Sequence, residues 1–154
     1  MAIAETVGRA QDDGLPVYGA LREVVHLAET VEPLYVRYSE DPRADVGGRS
    51  MDGESGLTLP GLSASPLTPE QWWTRPVEQW VSRQLVKYRH LEREGEGRVA
   101  WILTGDEVGR GPDAEPLLAD AIPVAVLAPR VLEEAETVYS ASFERGQMVA
   151  DARR

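Results

Sequence analysis

Val99-Ala100-Trp101-Ile102-Leu103-Thr104 is apolar at consecutive positions, so side chains pointing to either side of an extended chain would all leave water. The run therefore reads as a central strand covered on both faces. Gly105-Asp106-Glu107 reads as its turn. A second strand is expected through Val108 and Arg110. Beyond Gly111-Pro112-Asp113-Ala114-Glu115, the stretch Pro116-Leu117-Leu118 and then residues 122–128 read as further strands, each set off by turn residues. Pro129 opens a last helix through Val131, Leu132, Ala135, Val138 and Tyr139, because proline costs nothing at a first helical position.

Upstream, Leu21, Val24, Leu27 and Ala28 recur at helical spacing, and Pro33 ends that helix. Leu34-Tyr35-Val36-Arg37-Tyr38-Ser39 alternates, which makes it a half-buried strand with Tyr35, Arg37 and Ser39 on its polar face. Residues 40–61 are rich in Gly, Asp and Ser and have no hydrophobic period, so they read as a long loop of the functional or disordered kind. Thr68-Pro69-Glu70-Gln71 looks like a helix start, with Trp72 and Trp73 following at once. Pro76 restarts the helix, and Val77, Trp80, Val81, Leu85, Tyr88 and Leu91 draw an apolar stripe until Gly95 and Gly97. Trp80, Leu85, Trp101 and Leu103 are the expected core. This order of elements predicts an α+β fold: a single domain with a mostly antiparallel mixed sheet, flanked by a long central helix and two shorter ones. Residues 1–17 read as a flexible N-terminal arm, 18–140 as the globular domain and 141–154 as a polar tail.

A chain of 154 residues that is 42% hydrophobic and 27% charged can bury one core. Its 26 acidic against 16 basic residues leave a net charge of -10, which repels nucleic acid and anionic membranes and points to small molecules or proteins as partners. The absence of cysteine excludes thiolate chemistry and disulfides, and the expected compartment is the cytoplasm. No apolar run approaches the ~20 residues of a membrane-spanning helix. His26 and His90 stand alone on helices, and Asp41, Asp45, Asp52 and Glu54 do not fit a calcium-loop ladder, so no metal is expected.

Four features have chemistry to offer. Arg37 on a strand presents a planar fork that could clamp a phosphate or carboxylate, or else pair with one of the many acids. Ser63 and Ser65, alternating about Ala64, would face one side of a strand and orient a polar ligand, or else form a serine turn before Pro66. Glu115, in Asp113-Ala114-Glu115 ahead of a buried strand, could stabilise a developing positive charge, or simply be a solvated turn carboxylate. Trp72 and Trp73 cannot both face the core of one helix, so at least one is expected at a rim, a ligand wall or a partner surface.

The motifs Leu34-Tyr35-Val36-Arg37-Tyr38-Ser39, Glu54-Ser55-Gly56-Leu57, Leu59-Pro60-Gly61-Leu62-Ser63-Ala64-Ser65-Pro66-Leu67, Trp72-Trp73 and Gly109-Arg110-Gly111-Pro112-Asp113-Ala114-Glu115 together resemble a small bacterial family of uncharacterised domains, over residues 20–140. The order of an early-strand Arg, a Ser-x-Ser and a Glu before a late strand is also similar to the triad of ADP-ribosyltransferases. That second resemblance implies NAD as substrate. It implies Arg37 on the pyrophosphate, Ser63 and Ser65 holding the nicotinamide half, Glu115 on the ribose as an oxocarbenium ion develops, and Tyr38 or Trp72 stacked on the nicotinamide. Ala64 departs from the Thr often found there, and Asp113 from the Glu or Gln two places before the acid. Two functions are expected: an NAD-binding, ADP-ribosyltransferase-like or NAD-cleaving domain, or a non-catalytic module binding a small molecule or protein, of the accessory or immunity kind.

Overall fold

The computed structural model describes residues 14–89 and 97–144. In chain order the elements are β1 (Val17–Tyr18), α1 (Leu21–Thr30), β2 (Tyr35–Ser39), α2 (Pro42–Asp45), β3 (Leu62–Ser63), β4 (Ser65–Pro66), α3 (Val77–Lys87), β5 (Val99–Arg110), β6 (Pro116–Leu127) and α4 (Pro129–Tyr139), with a π-helical turn over Ser140–Glu144. The sheet runs β1-β6-β5-β2-β4, and β3 lies against β6. Among the described strands only β1 is parallel to its neighbour. This is the expected α+β architecture.

One short segment closes the sheet on itself. Leu62 and Ser63 pair with Leu118 and Leu117 of β6, and then, one residue on, Ser65 and Pro66 pair with Val36 and Tyr35 of β2. The chain thus bridges the two edges of a curled sheet and creates an inside and an outside. Outside, Val36, Ile102 and Leu127 pack against Val24, Val81, Leu85 and Leu132 of the three long helices. Inside, Tyr35, Leu62, Trp101, Leu103 and Leu118 form a second cluster, with Val46 from the loop after α2 packed onto it. The double-sided apolar run 99–103 is the wall between these cores. Trp80, Leu85, Trp101 and Leu103 are all buried, as the sequence predicts.

Several boundaries differ from the sequence reading. The turn expected at 105–107 does not form: β5 continues to Arg110, and β6 is one strand where two were expected. The pairing survives through register shifts, and Asp120 adopts a left-handed φ of 51° that aspartate tolerates better than most residues. Gly105 is needed by packing and not for a turn, since a Cβ there would lie 3.1 Å from the Ala119 carbonyl oxygen across the ladder. Helix α3 begins only after Pro76, because a residue before proline avoids helical geometry. With its start at Val77 it is 11 residues long, the same as α4, and so is not a longer central helix. Thr68 caps nothing; its hydroxyl oxygen accepts the Leu34 N–H at 3.0 Å.

Residues 15–18 belong to the sheet and not to an arm, for Leu15 is buried and the Val126 N–H donates to the Pro16 carbonyl. At the other end Phe143 stacks on Tyr139 and under the Arg75 guanidinium, so the chain remains attached to the body beyond residue 140. Residues 1–13 and 145–154, with His90, Leu91 and Gly95, lie outside the described residues. Helix α1 has no capping hydroxyl. Instead the Glu23 carboxylate reaches back to accept the N–H groups of Gly19 and Ala20, and Glu134 of α4 accepts that of Leu21.

Two measurements check this packing. Trp101→Ala removes a fully buried indole and leaves Ser39 without its donor, and should lower unfolding free energy by about 3–5 kcal/mol in denaturant titration. Tyr35 is buried, which pushes its phenol above its ordinary pKa, and the Glu107 carboxylate adds to the effect. The unfolded chain therefore ionises this tyrosine first as pH rises, and stability falls above about pH 10. Tyr35→Phe should make that alkaline loss shallower in thermal melts from pH 9 to 11.5.

Candidate functional site

Arg37 lies in β2 opposite Trp101 of β5, on the inner side of the curl. Its Nε donates to Asp45 Oδ2 at 3.1 Å, and its Nη1 donates to the Ser63 carbonyl at 2.9 Å and to Ser63 Oγ at 3.1 Å. Asp45 Oδ2 also accepts the Ser39 hydroxyl, and Ser39 Oγ accepts the Trp101 indole N–H at 2.8 Å. Ser50 Oγ accepts the Ser63 N–H at 2.9 Å and shares a hydrogen bond with Ser63 Oγ. A chain of polar contacts thus runs from the buried Trp101 to the segment 40–63.

That segment is ordered where a structureless loop was expected. Asp41 caps α2 by accepting the Ala44 N–H, with Pro42 at the first helical position. Residues 50–59 form a small hairpin through the Met51–Thr58 bridge. At its tip Asp52 accepts the Ser55 hydroxyl, which, with the Glu54 amide, holds its carboxyl below the usual range. Because the loop roofs it, β2 is buried on both faces, and the polar face read from the alternation is internal.

A cleft of about 190 Å³ opens at the seam where the 62–66 segment changes partner strand. Arg37, Tyr38, Ser63, Ser65, Asp113, Glu115 and Tyr88 line it, over Val36 and Ala64. The structure therefore brings Arg37, Tyr38, Ser63, Ser65 and Glu115 together. They do not share one sheet face: Ser65 pairs with Val36, whereas Arg37 points the other way and reaches the cleft at the seam. Trp72 is not part of it. This indole is 66% exposed and packs edge-on against Trp73 and Trp80, because residues 68–75 turn across the surface instead of entering a helix. The aromatic wall is Tyr88, at the end of α3, which the sequence showed only as one member of an apolar stripe. Its place beyond the last full turn of that stripe was the available signal.

Each wall is fixed by its own bonds. The Tyr38 hydroxyl donates to the Leu85 carbonyl at 2.8 Å, which joins β2 to the end of α3. The Trp80 indole donates to the Pro66 carbonyl and holds β4. Glu115 organises its own hairpin loop: its Oε2 accepts the Asp113 N–H at 2.8 Å and its carbonyl accepts the Gly111 N–H at 2.8 Å. Ala114 has a left-handed φ of 62°, and a Cβ on Gly111 would overlap the Glu115 carboxylate. Among the described residues neither Asp113 nor Glu115 forms an ion pair, no group of three metal-ligating side chains assembles, and no helix is long and apolar enough to cross a membrane.

Fold and cleft together define a small α+β domain whose curled sheet opens at one seam, with serine hydroxyls and carboxylates on its walls. The chain belongs to the DUF6098 family of unknown function, whose family model matches residues 11–149. No curated protein and no solved structure matches it. The expected uncharacterised family is thus found, while nothing in these comparisons supports the resemblance to ADP-ribosyltransferases.

Arg37→Ala would strand Asp45 and release Ser63 together. The expected loss is about 1.5–3 kcal/mol, the range for hydrogen bonds to charged groups, with faster amide exchange concentrated in residues 41–61. Arg37→Lys should recover little of either, since a point charge cannot reach both partners as a fork does.

Proposed function

We propose that the domain is a binding module that takes one small group in the seam cleft, the second of the two functions expected from the sequence. The observation that carries this reading is Ser65. It is 4% exposed, it lines the cleft, and its hydroxyl makes no hydrogen bond among the described residues. Its oxygen is not sealed from solvent, so it opens onto the cleft and offers an incoming group one hydrogen bond, worth about 0.5–1.5 kcal/mol net.

The dimensions favour a modest ligand. An apolar cavity of ~150 Å³ accepts a single benzene ring, so this cleft suits one ring or one side-chain head group. A dinucleotide would have most of its length outside. The chemistry favours binding over turnover. Two of the three nitrogens of Arg37, Nε and Nη1, are committed to Asp45 and Ser63, and Glu115 accepts an amide of its own loop. No described histidine stands beside the serines to activate them. The NAD-cleaving reading keeps one supporting observation, the convergence of Arg37, Ser63, Ser65 and Glu115 on one cleft.

One titration separates the two. Fragments of neutral, anionic and cationic character, together with nicotinamide and NAD, are added to the full chain and followed by amide chemical shifts and by nicotinamide release. The expected result is fragment binding that shifts Ser65 and Glu115, no release from NAD, and affinity about 3- to 10-fold weaker in Ser65→Ala, the value of one neutral hydrogen bond. Release that disappears in Glu115→Ala would replace this reading with the enzymatic one.

A further inference from the structure

We infer that the group received by the cleft is a cation of the alkylammonium or guanidinium type. This rests on the binding-module reading and adds the chemistry of the ligand. Of the charged groups lining the cleft, Arg37 is matched by Asp45 at 3.1 Å. Asp113 and Glu115, which also line it, have no ion-pair partner among the described residues. Arg110, in the same hairpin, is committed elsewhere: its Nη2 pairs with Glu107 at 2.8 Å and its Nη1 donates to the Ala114 carbonyl. The ammonium of Lys87 lies 5.3 Å from the centroid of the Tyr88 ring, and Lys87 does not line the cleft. The cleft therefore carries an uncompensated negative charge.

The hydrogen-bonding inventory points the same way. The Tyr38 hydroxyl proton goes to Leu85, and the Arg37 Nε and Nη1 protons go to Asp45 and Ser63. Beside the Nη2 amino group of Arg37, what remains on offer is acceptor capacity: the Asp113 carboxylate, the second oxygen of Glu115 and the unpartnered Ser65 hydroxyl. A donor-only head group satisfies all three, whereas a phosphate or carboxylate would meet two like charges. Val36, Ala64 and the Tyr88 ring suit an alkyl stem, and a net charge of -10 favours the approach of cations over anions at long range. Ser65 is independent of the acidic pair and is itself buried, so the site does not rest on surface carboxylates alone.

The test uses the full chain and four probes of matched size: butylammonium, methylguanidinium, butanol and butyrate, with amide shifts of Ser65 and Glu115 as readout at low and high salt. Butylammonium and methylguanidinium should bind and weaken with salt, and butanol and butyrate should bind several-fold less well. Asp113→Asn is the decisive variant, because no hydrogen bond within the described residues uses the Asp113 carboxylate and the fold should be untouched. It should weaken the cations about 2- to 5-fold, the scale of a partly exposed charge contact, and leave butanol unchanged. An N-acetyl-lysine amide arm distinguishes sources: tighter binding than butylammonium identifies a basic side chain of a partner polypeptide, and equal binding a free amine. Butanol or butyrate binding at the cleft as well as butylammonium would overturn the charge assignment and leave the binding module standing. No shift at the cleft with any probe would overturn both.

Discussion

The fork of Arg37, held between Asp45 and Ser63, ties a segment poor in hydrophobic residues to the sheet. Residues 40–61 bring few apolar side chains to bury, and Met51 and Leu57 are exposed. The segment is ordered instead by directional bonds that begin at the buried Trp101 and pass through Ser39, Asp45 and Arg37 to Ser63 and Ser50. Both members of the ion pair are partly exposed, at 23% and 32%, so their attraction is screened and contributes modestly by itself. Its value is positional. It sets Ser63 on β6 and so fixes where the chain must cross from one sheet edge to the other.

The crossing makes the cleft. Because β4 pairs only with Tyr35 and Val36, residues Arg37 and Tyr38 have no strand beside them on that edge. The hairpin loop at 111–115 and the end of α3 approach the gap without filling it. A closed strand pair would have left no room, and a longer loop would have filled the space with its own side chains. The concavity is thus a by-product of sheet closure by a segment too short to pair fully with either edge.

The same economy governs the charged side chains. Arg37 pairs with an internal carboxylate, while Glu115 builds its loop through only one of its oxygens. A residue recruited to hold the fold is chemically quieter than its position in a motif suggests. Order along the chain made Arg37, Ser63, Ser65 and Glu115 look like a catalytic set; their bonds show each of the two charged members already at work in structure.

Much of the architecture was legible because it follows from local periodicity. The apolar run 99–103 had to be a strand buried on both sides, the stripes of α1, α3 and α4 had to face a core, and alternation put Arg37 with Tyr35 and Ser39. Boundaries that depend on a distant neighbour were not. Gly105 read as a turn residue and a break was expected between Leu118 and residue 122, yet both places lie inside long strands, because whether such residues end a strand or form a bulge depends on the opposing strand. Thr68 and Pro69 carried a helix signal overridden by the bond to Leu34 and by Pro76, which moved Trp72 away from the cleft and left Tyr88 as its wall. The partner chosen by Arg37 among so many acids was likewise a tertiary decision. The sequence by itself determined which segments must be buried, since hydrophobicity is a property of each residue. Only the tertiary structure decided which polar groups are used up within the fold and which remain free for a ligand, because a hydrogen bond needs two groups brought together in space.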